Sequence, residues 1–145
     1  MRNPKIYFSG KRKNRPPIEK QVFSAVLKTV ALEKRRLIAS LQYVFMDDNG
    51  LLKINQQYLN HNTYTDIITF DLSEDSNIVG EIYISLERVQ ENAVVFGVSY
   101  KEEFLRVLFH GALHLLGHKD KSSKDKLAMR EAESYCINLY LEKEA

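Results

Sequence analysis

The sequence predicts an α+β domain: a small four-stranded mixed sheet covered by about five helices. Three observations predict it. The chain is 145 residues long, the size of one domain at about 100–200 residues each. Four short stretches are rich in β-branched and aromatic residues, and they fall in the first 85 positions. Amphipathic stretches with serine starts fill the C-terminal half.

Ile6-Tyr7-Phe8 reads as an edge strand, with a basic loop and Gly10 after it. Pro16-Pro17 opens a helix, because proline suits a first turn whose N–H groups lack partners. Ile18, Val22, Val26 and Val30 form its apolar stripe, and it fades near Glu33–Arg36. Arg36–Phe45 reads as a strand with Leu37, Leu41, Tyr43 and Phe45 on one face. Asp47-Asp48-Asn49-Gly50 reads as a turn, and Leu51–Tyr58 as a short helix. Thr65–Leu72 and Gly80–Ser85 read as strands around a polar loop at Ser73–Asn77.

Three helix starts come next. Ser85 caps a helix carrying Leu86, Val89, Ala93 and Phe96, stopped by Gly97. Ser99 with Glu102 forms a capping box, opening a helix through Phe104, Leu108 and Ala112 that stops at Gly117. Ser122 or Ser123 caps a last helix with Leu127, Cys136, Leu139 and Tyr140 on its apolar side.

Composition bounds the function. The chain is 44% hydrophobic and 28% charged, close to the globular average, and reads as a single domain over residues 1–145. No apolar run approaches the roughly 20 residues of a membrane span. The basic start lacks the apolar stretch of a signal peptide. The lone Cys136 allows no internal disulfide, which suits a cytoplasmic location. A net charge of +2 permits nucleic acid as a partner without requiring it.

Three of the four histidines fall within nine residues, in His110-Gly-Ala-Leu-His114-Leu-Leu-Gly-His118-Lys-Asp120. His110 and His114, four apart on a helix, lie one turn apart on one face. Two imidazoles so placed can share a tetrahedral zinc ion. Gly117 lets the chain turn back, so a residue shortly after it reaches the same ion. The spacing H-x-x-x-H-x-x-G-x-x-D is that of zincins, with two changes. Asp120 replaces the third histidine and is an acceptable ligand. Gly111 replaces the glutamate that serves zincin proteases as general base, which weakens a protease reading.

This stretch resembles the signature H-G-x-L-H-L-x-G-Y-D-H of the YbeY family of bacterial endoribonucleases, and every specified position from His110 to Gly117 matches. Two further stretches match in the family's order: Asn55-Gln-Gln-Tyr58 with Thr65-Asp66-Ile67-Ile68-Thr69-Phe70 after it, and Gly80-Glu81-Ile82-Tyr83-Ile84-Ser85. The resemblance covers about residues 18–140. It implies an α+β fold with a four-stranded mixed sheet and one zinc ion per chain. It further implies single-strand-specific cleavage of RNA, maturation of the 3′ end of 16S rRNA, and ribosome quality control. The implied partners are rRNA and the small ribosomal subunit, with no membrane and no DNA.

Carried over position by position, the resemblance gives His110 and His114 as metal ligands. The family's third ligand aligns with Asp120. His118 aligns with the family's tyrosine and is the other candidate; the register set by Gly117 favours Asp120. His118 then becomes a candidate proton donor or phosphate contact, and no general base is assigned. The family's arginine before the Thr-Asp strand is Leu59 here, so another group, with His61 nearby, must hold the RNA backbone there.

Lys119, Lys121, Lys124 and Lys126 flank the metal loop and are candidate backbone contacts. Lys34, Arg35 and Arg36 form a second basic group, and Lys11, Arg12, Lys13 and Arg15 a third, expected on a mobile end. Glu131 and Glu133 read first as solvated helix charges and second as partners supporting the metal ligands. Cys136 reads as a packing residue. Two other functions fit the residues: a metal-dependent hydrolase of another ester or peptide, and a non-enzymatic ribosome-assembly factor whose zinc only staples the loop.

Overall fold

The computed structural model describes residues 2–61 and 65–145. It contains the strands β1 (Lys5–Gly10), β2 (Leu37–Met46), β3 (Ile67–Asp71) and β4 (Asn77–Ser85). The helices are α1 (Lys20–Glu33), α2 (Asp48–Leu59), α3 (Leu86–Phe96), α4 (Tyr100–Leu115) and α5 (Ser123–Glu144). The sheet order is β1-β2-β4-β3. β1 and β4 run parallel to β2, and β3 pairs antiparallel with β4. This is the mixed α+β arrangement expected from the sequence.

One face of the sheet carries Leu41, Tyr43 and Phe45 from β2 with Ile82 and Ile84 from β4, all buried in the main core with side chains of α1, α4 and α5. Tyr43 fastens sheet to helix, its hydroxyl donating to the Leu108 carbonyl at 2.7 Å. Gly111 lets α4 approach closely: a Cβ there would stand 3.0 Å from Ile82 and 3.1 Å from Ile67. The other face has Phe70 edge-on to both Tyr83 and Tyr58 of α2.

The serine starts are as expected. The hydroxyls of Ser85, Ser99 and Ser122 accept from the amides of Arg88, Glu102 and Asp125, each satisfying an otherwise unpaired N–H of the first turn.

Five local expectations are corrected. Asp47–Gly50 is not a free turn: Asp47 caps α2, its carboxylate accepting from the Gly50 amide at 2.7 Å, so the helix begins at Asp48. The Pro16-Pro17 pair lies before α1, which starts at Lys20. A bulge between Ile38 and Ser40 shifts β2 by one residue, so Ile38 is buried where Leu37 was expected and Leu37 faces out. Leu127 is 61% exposed, because the buried face of α5 runs through Met129, Glu133, Cys136 and Tyr140. The N-terminal basic segment is not a loose end: Lys11 N–H donates to the Phe45 carbonyl, and the Arg15 guanidinium lies 5.1 Å from the Phe45 ring centroid. No described helix is long and apolar enough to cross a membrane.

Candidate metal centre

α4 presents Glu103, Arg106, Val107, His110 and His114 along one face, and this face floors a cavity of about 790 Å³. β3 forms one wall, and the end of α2 contributes Asn55 and Leu59. α3 contributes Asn92 and Phe96, α5 contributes Arg130 and Glu133, and Asp120 comes from the loop after α4. That loop turns at Gly117, whose φ of 104° is open to glycine and costly for other residues.

The turn brings Asp120 back onto the histidine pair. Asp120 Oδ2 stands 3.2 Å from His114 Nε2 and 3.4 Å from His110 Nε2. The three donors lie within 4.8 Å of one another, close enough to hold one metal ion. A tetrahedral ion at ~2.0–2.1 Å from each ligand sets its ligands roughly 3.3–3.4 Å apart, so the spacing fits. Two imidazole nitrogens and one carboxylate oxygen are also a donor set that zinc accepts.

His110 is oriented from behind. Its Nδ1 stands 2.6 Å from Glu133 Oε2. A carboxylate oxygen accepts, so Nδ1–H donates to Glu133, and Nε2 is the ring nitrogen turned toward Asp120. Glu133 is buried and also takes a hydrogen bond from Arg106 Nη1 at 3.0 Å. Arg106 in turn donates to Ser134 Oγ. Burial disfavours the imidazolium of His110, but Glu133, Asp120 and Asp66 outweigh it and hold His110 above the usual histidine range. Burial pushes Asp66 up, against the pull of His110. Burial also pushes Glu103 up to about 7, against the pull of Arg106.

These observations make Glu133 a supporting partner rather than a solvated charge; Glu131 is exposed. The sequence carries a signal for Glu133, since it falls in step with Met129, Cys136 and Tyr140 on the buried side of α5. Arg106, Arg130, Asn92 and Phe96 also line the cavity, and no local motif marks them as site residues. His61 lines it as well. Lys119, Lys121 and Lys124 are exposed and do not line it. His118 stands apart from the three donors: its Nε2 is buried with no hydrogen-bond partner among the described residues, and burial, Lys34 and His114 lower its pKa.

A family model, endoribonuclease YbeY, matches residues 9–140. The chain belongs to the YbeY endoribonuclease family. Relatives bearing the name endoribonuclease YbeY include one from Flavobacterium psychrophilum, 51% identical over 77% of this chain and 80% of that one. Another, from Porphyromonas gingivalis, is 39% identical over 92% of this chain and 88% of its own length. The same fold is visible in a solution structure of TM1509 from Thermotoga maritima. It matches with a TM-score of 0.64 at 24% identity, covering 95% of this chain and 90% of that one.

Proposed function

We propose that this chain is a zinc-dependent, single-strand-specific endoribonuclease acting late in maturation of the 3′ end of 16S rRNA and in ribosome quality control. Its substrate and partner are rRNA and the small ribosomal subunit, its working place is the cytoplasm, and it holds one zinc per chain on His110, His114 and Asp120. One observation carries this reading: the three donors converge on the wall of an open polar cavity, with His110 oriented by Glu133. A structural zinc is closed off by four protein ligands, whereas three ligands leave a position for chemistry. The open wall therefore disfavours a zinc that only staples the loop.

Zinc, when bound, supplies an activated water at neutral pH and a Lewis acid for a phosphoryl oxygen. The rest is done by the chain. Glu133 keeps a proton on His110 Nδ1, which leaves Nε2 as an electron-pair donor. Arg106 holds Glu133 in place through the 3.0 Å ion pair. Arg130 lines the cavity, and among the described residues its guanidinium has no ion-pair partner. It offers a fork for an RNA phosphate, in a site whose rim carries Leu59 where the family resemblance places an arginine. His61 adds a second nitrogen donor from the α2 side.

Gly111 argues against a peptidase. A Cβ there would already press on Ile82 and Ile67, so a zincin-type glutamate at that position would have to displace both side chains.

The test combines metal content with RNA cleavage. Purified protein is expected to hold about one zinc per chain, as a single three-ligand site requires, lost in Asp120→Ala and kept in His118→Ala. It is expected to cut single-stranded RNA spanning the 16S 3′ region, to spare the duplex, and to stop on chelation. A wild-type protein that takes up no metal, or cuts equally well under chelator, overturns the reading.

A further inference from the structure

The cavity extends beyond the metal-binding group. Glu103 precedes His110 by two turns on α4, about 10 Å along the axis. The last turn of α3 lines the same cavity with Asn92 and Phe96, four residues apart on one helix face. Gly97, at φ 67°, stops α3, and Ser99 starts α4. The chain thus doubles back and brings Phe96 and Glu103 to one chamber. Phe96 is 54% exposed and makes no aromatic ring contact among the described residues. Beside it, Asn92 Nδ2 donates to Asp66 Oδ2 at 3.4 Å. Glu103 is only 4% exposed, yet it faces the cavity.

An exposed flat ring next to fixed, half-enclosed polar groups does little for a core. It matches a flat ligand with hydrogen-bonding edges. We propose, resting on the endoribonuclease reading above, that this end of the cavity is a nucleobase subsite: the Phe96 ring stacks on one unpaired base of a single-stranded RNA, and Asn92 and Glu103 meet that base's edge.

Each part has its chemistry. Every base has a π face, so a stacking ring selects unpaired bases without selecting sequence. A base inside a duplex already stacks on its neighbours and must be extruded first. The subsite therefore favours single strands by itself, independently of the metal. Asn92 offers an amide whose orientation Asp66 fixes. With its pKa raised to about 7, Glu103 presents both an O–H donor and an acceptor oxygen near neutral pH. Val94 and Val95 are exposed as well but do not line the cavity, so they serve as controls for the surface of α3.

The chain contains no tryptophan, so Phe96→Trp creates a single indole fluorophore at the subsite. The full-length protein is titrated under chelator, which prevents cleavage, with a single-stranded oligoribonucleotide, its abasic analogue and a duplex of the same sequence. Anisotropy of labelled RNA reports binding in parallel. The subsite requires indole quenching by the single strand and little by the abasic strand or the duplex. It also requires roughly 10- to 100-fold weaker binding in Phe96→Ala, retention in Phe96→Tyr, and no loss in Val95→Ala. RNA bound by anisotropy with unchanged indole fluorescence overturns the subsite and leaves the endoribonuclease reading standing. So does a Val95→Ala loss equal to that of Phe96→Ala. A wild-type protein that neither binds single-stranded RNA nor cuts it with zinc overturns both.

Discussion

His110 Nδ1 and Glu133 Oε2 stand 2.6 Å apart, joining residues 23 positions apart in the chain. The contact keeps a proton on Nδ1 and sets the orientation of the ring. It leaves Nε2 facing Asp120 at 3.4 Å, the disposition a metal needs. Because Arg106 holds the other carboxylate oxygen, the orientation of His110 depends on two residues, one from each of two helices.

Glu133→Gln is expected to lower zinc affinity about 10- to 100-fold, the usual cost of losing such a supporting carboxylate, while keeping the fold. Competition against a fluorescent chelator measures it. Glu133→Ala should also strand Arg106, whose side chain is 13% exposed, and cost about 3–5 kcal/mol of stability. Equal zinc affinity in wild type and Glu133→Gln would deny Glu133 its orienting role.

Glu103 gives the metal-free protein a specific pH dependence. Its folded-state pKa of about 7 lies above the ordinary 4.5, so the native state holds a proton that the unfolded chain releases. The stabilisation is present below pH 4.5 and is lost as pH rises through 7, by up to about 3 kcal/mol. Urea midpoints at pH 5 and pH 8 should therefore differ more in wild type than in Glu103→Gln. Identical differences in the two proteins would exclude Glu103 as the source.

Gly111→Glu should not convert the site to a zincin peptidase. Overpacking against Ile82 and Ile67 should instead cost about 3 kcal/mol or more. Thermal unfolding and a peptide-cleavage assay check both halves of this statement. A stable variant with new peptidase activity would refute the packing argument.

Arg130→Ala should weaken RNA binding and reduce the slope of log affinity against log salt by about 0.7, the value for one phosphate contact on a single strand. Lys121→Ala, on the exposed loop outside the cavity, should leave that slope close to the wild-type value. Binding titrations at several salt concentrations separate the two. An unchanged slope in Arg130→Ala would remove Arg130 from the RNA path.

Much of this arrangement is legible in the sequence, where the signal is local. The serine caps act within four residues, and the His110–His114 pair and the Gly117 turn within eight. Asp47 is ambiguous because the same side chain caps a turn or a helix, and residues further along the chain decide between them. The β2 bulge is invisible because alternation continues on either side of it. Glu133, Arg106, Asn92 and Phe96 depend on which helices meet. Residue spacing carries that information only faintly, as in the carboxylate that falls within the apolar stripe of α5.

The three metal-binding donors all come from one stretch of eleven residues, His110 to Asp120, whereas the residue that orients His110 arrives on the final helix. During synthesis the chelating loop therefore emerges before α5 can dock. A chain in that interval has its three donors but lacks the carboxylate that orients His110. Docking of α5 supplies Glu133, so the loop's full orientation as a chelating group depends on the last helix to be made.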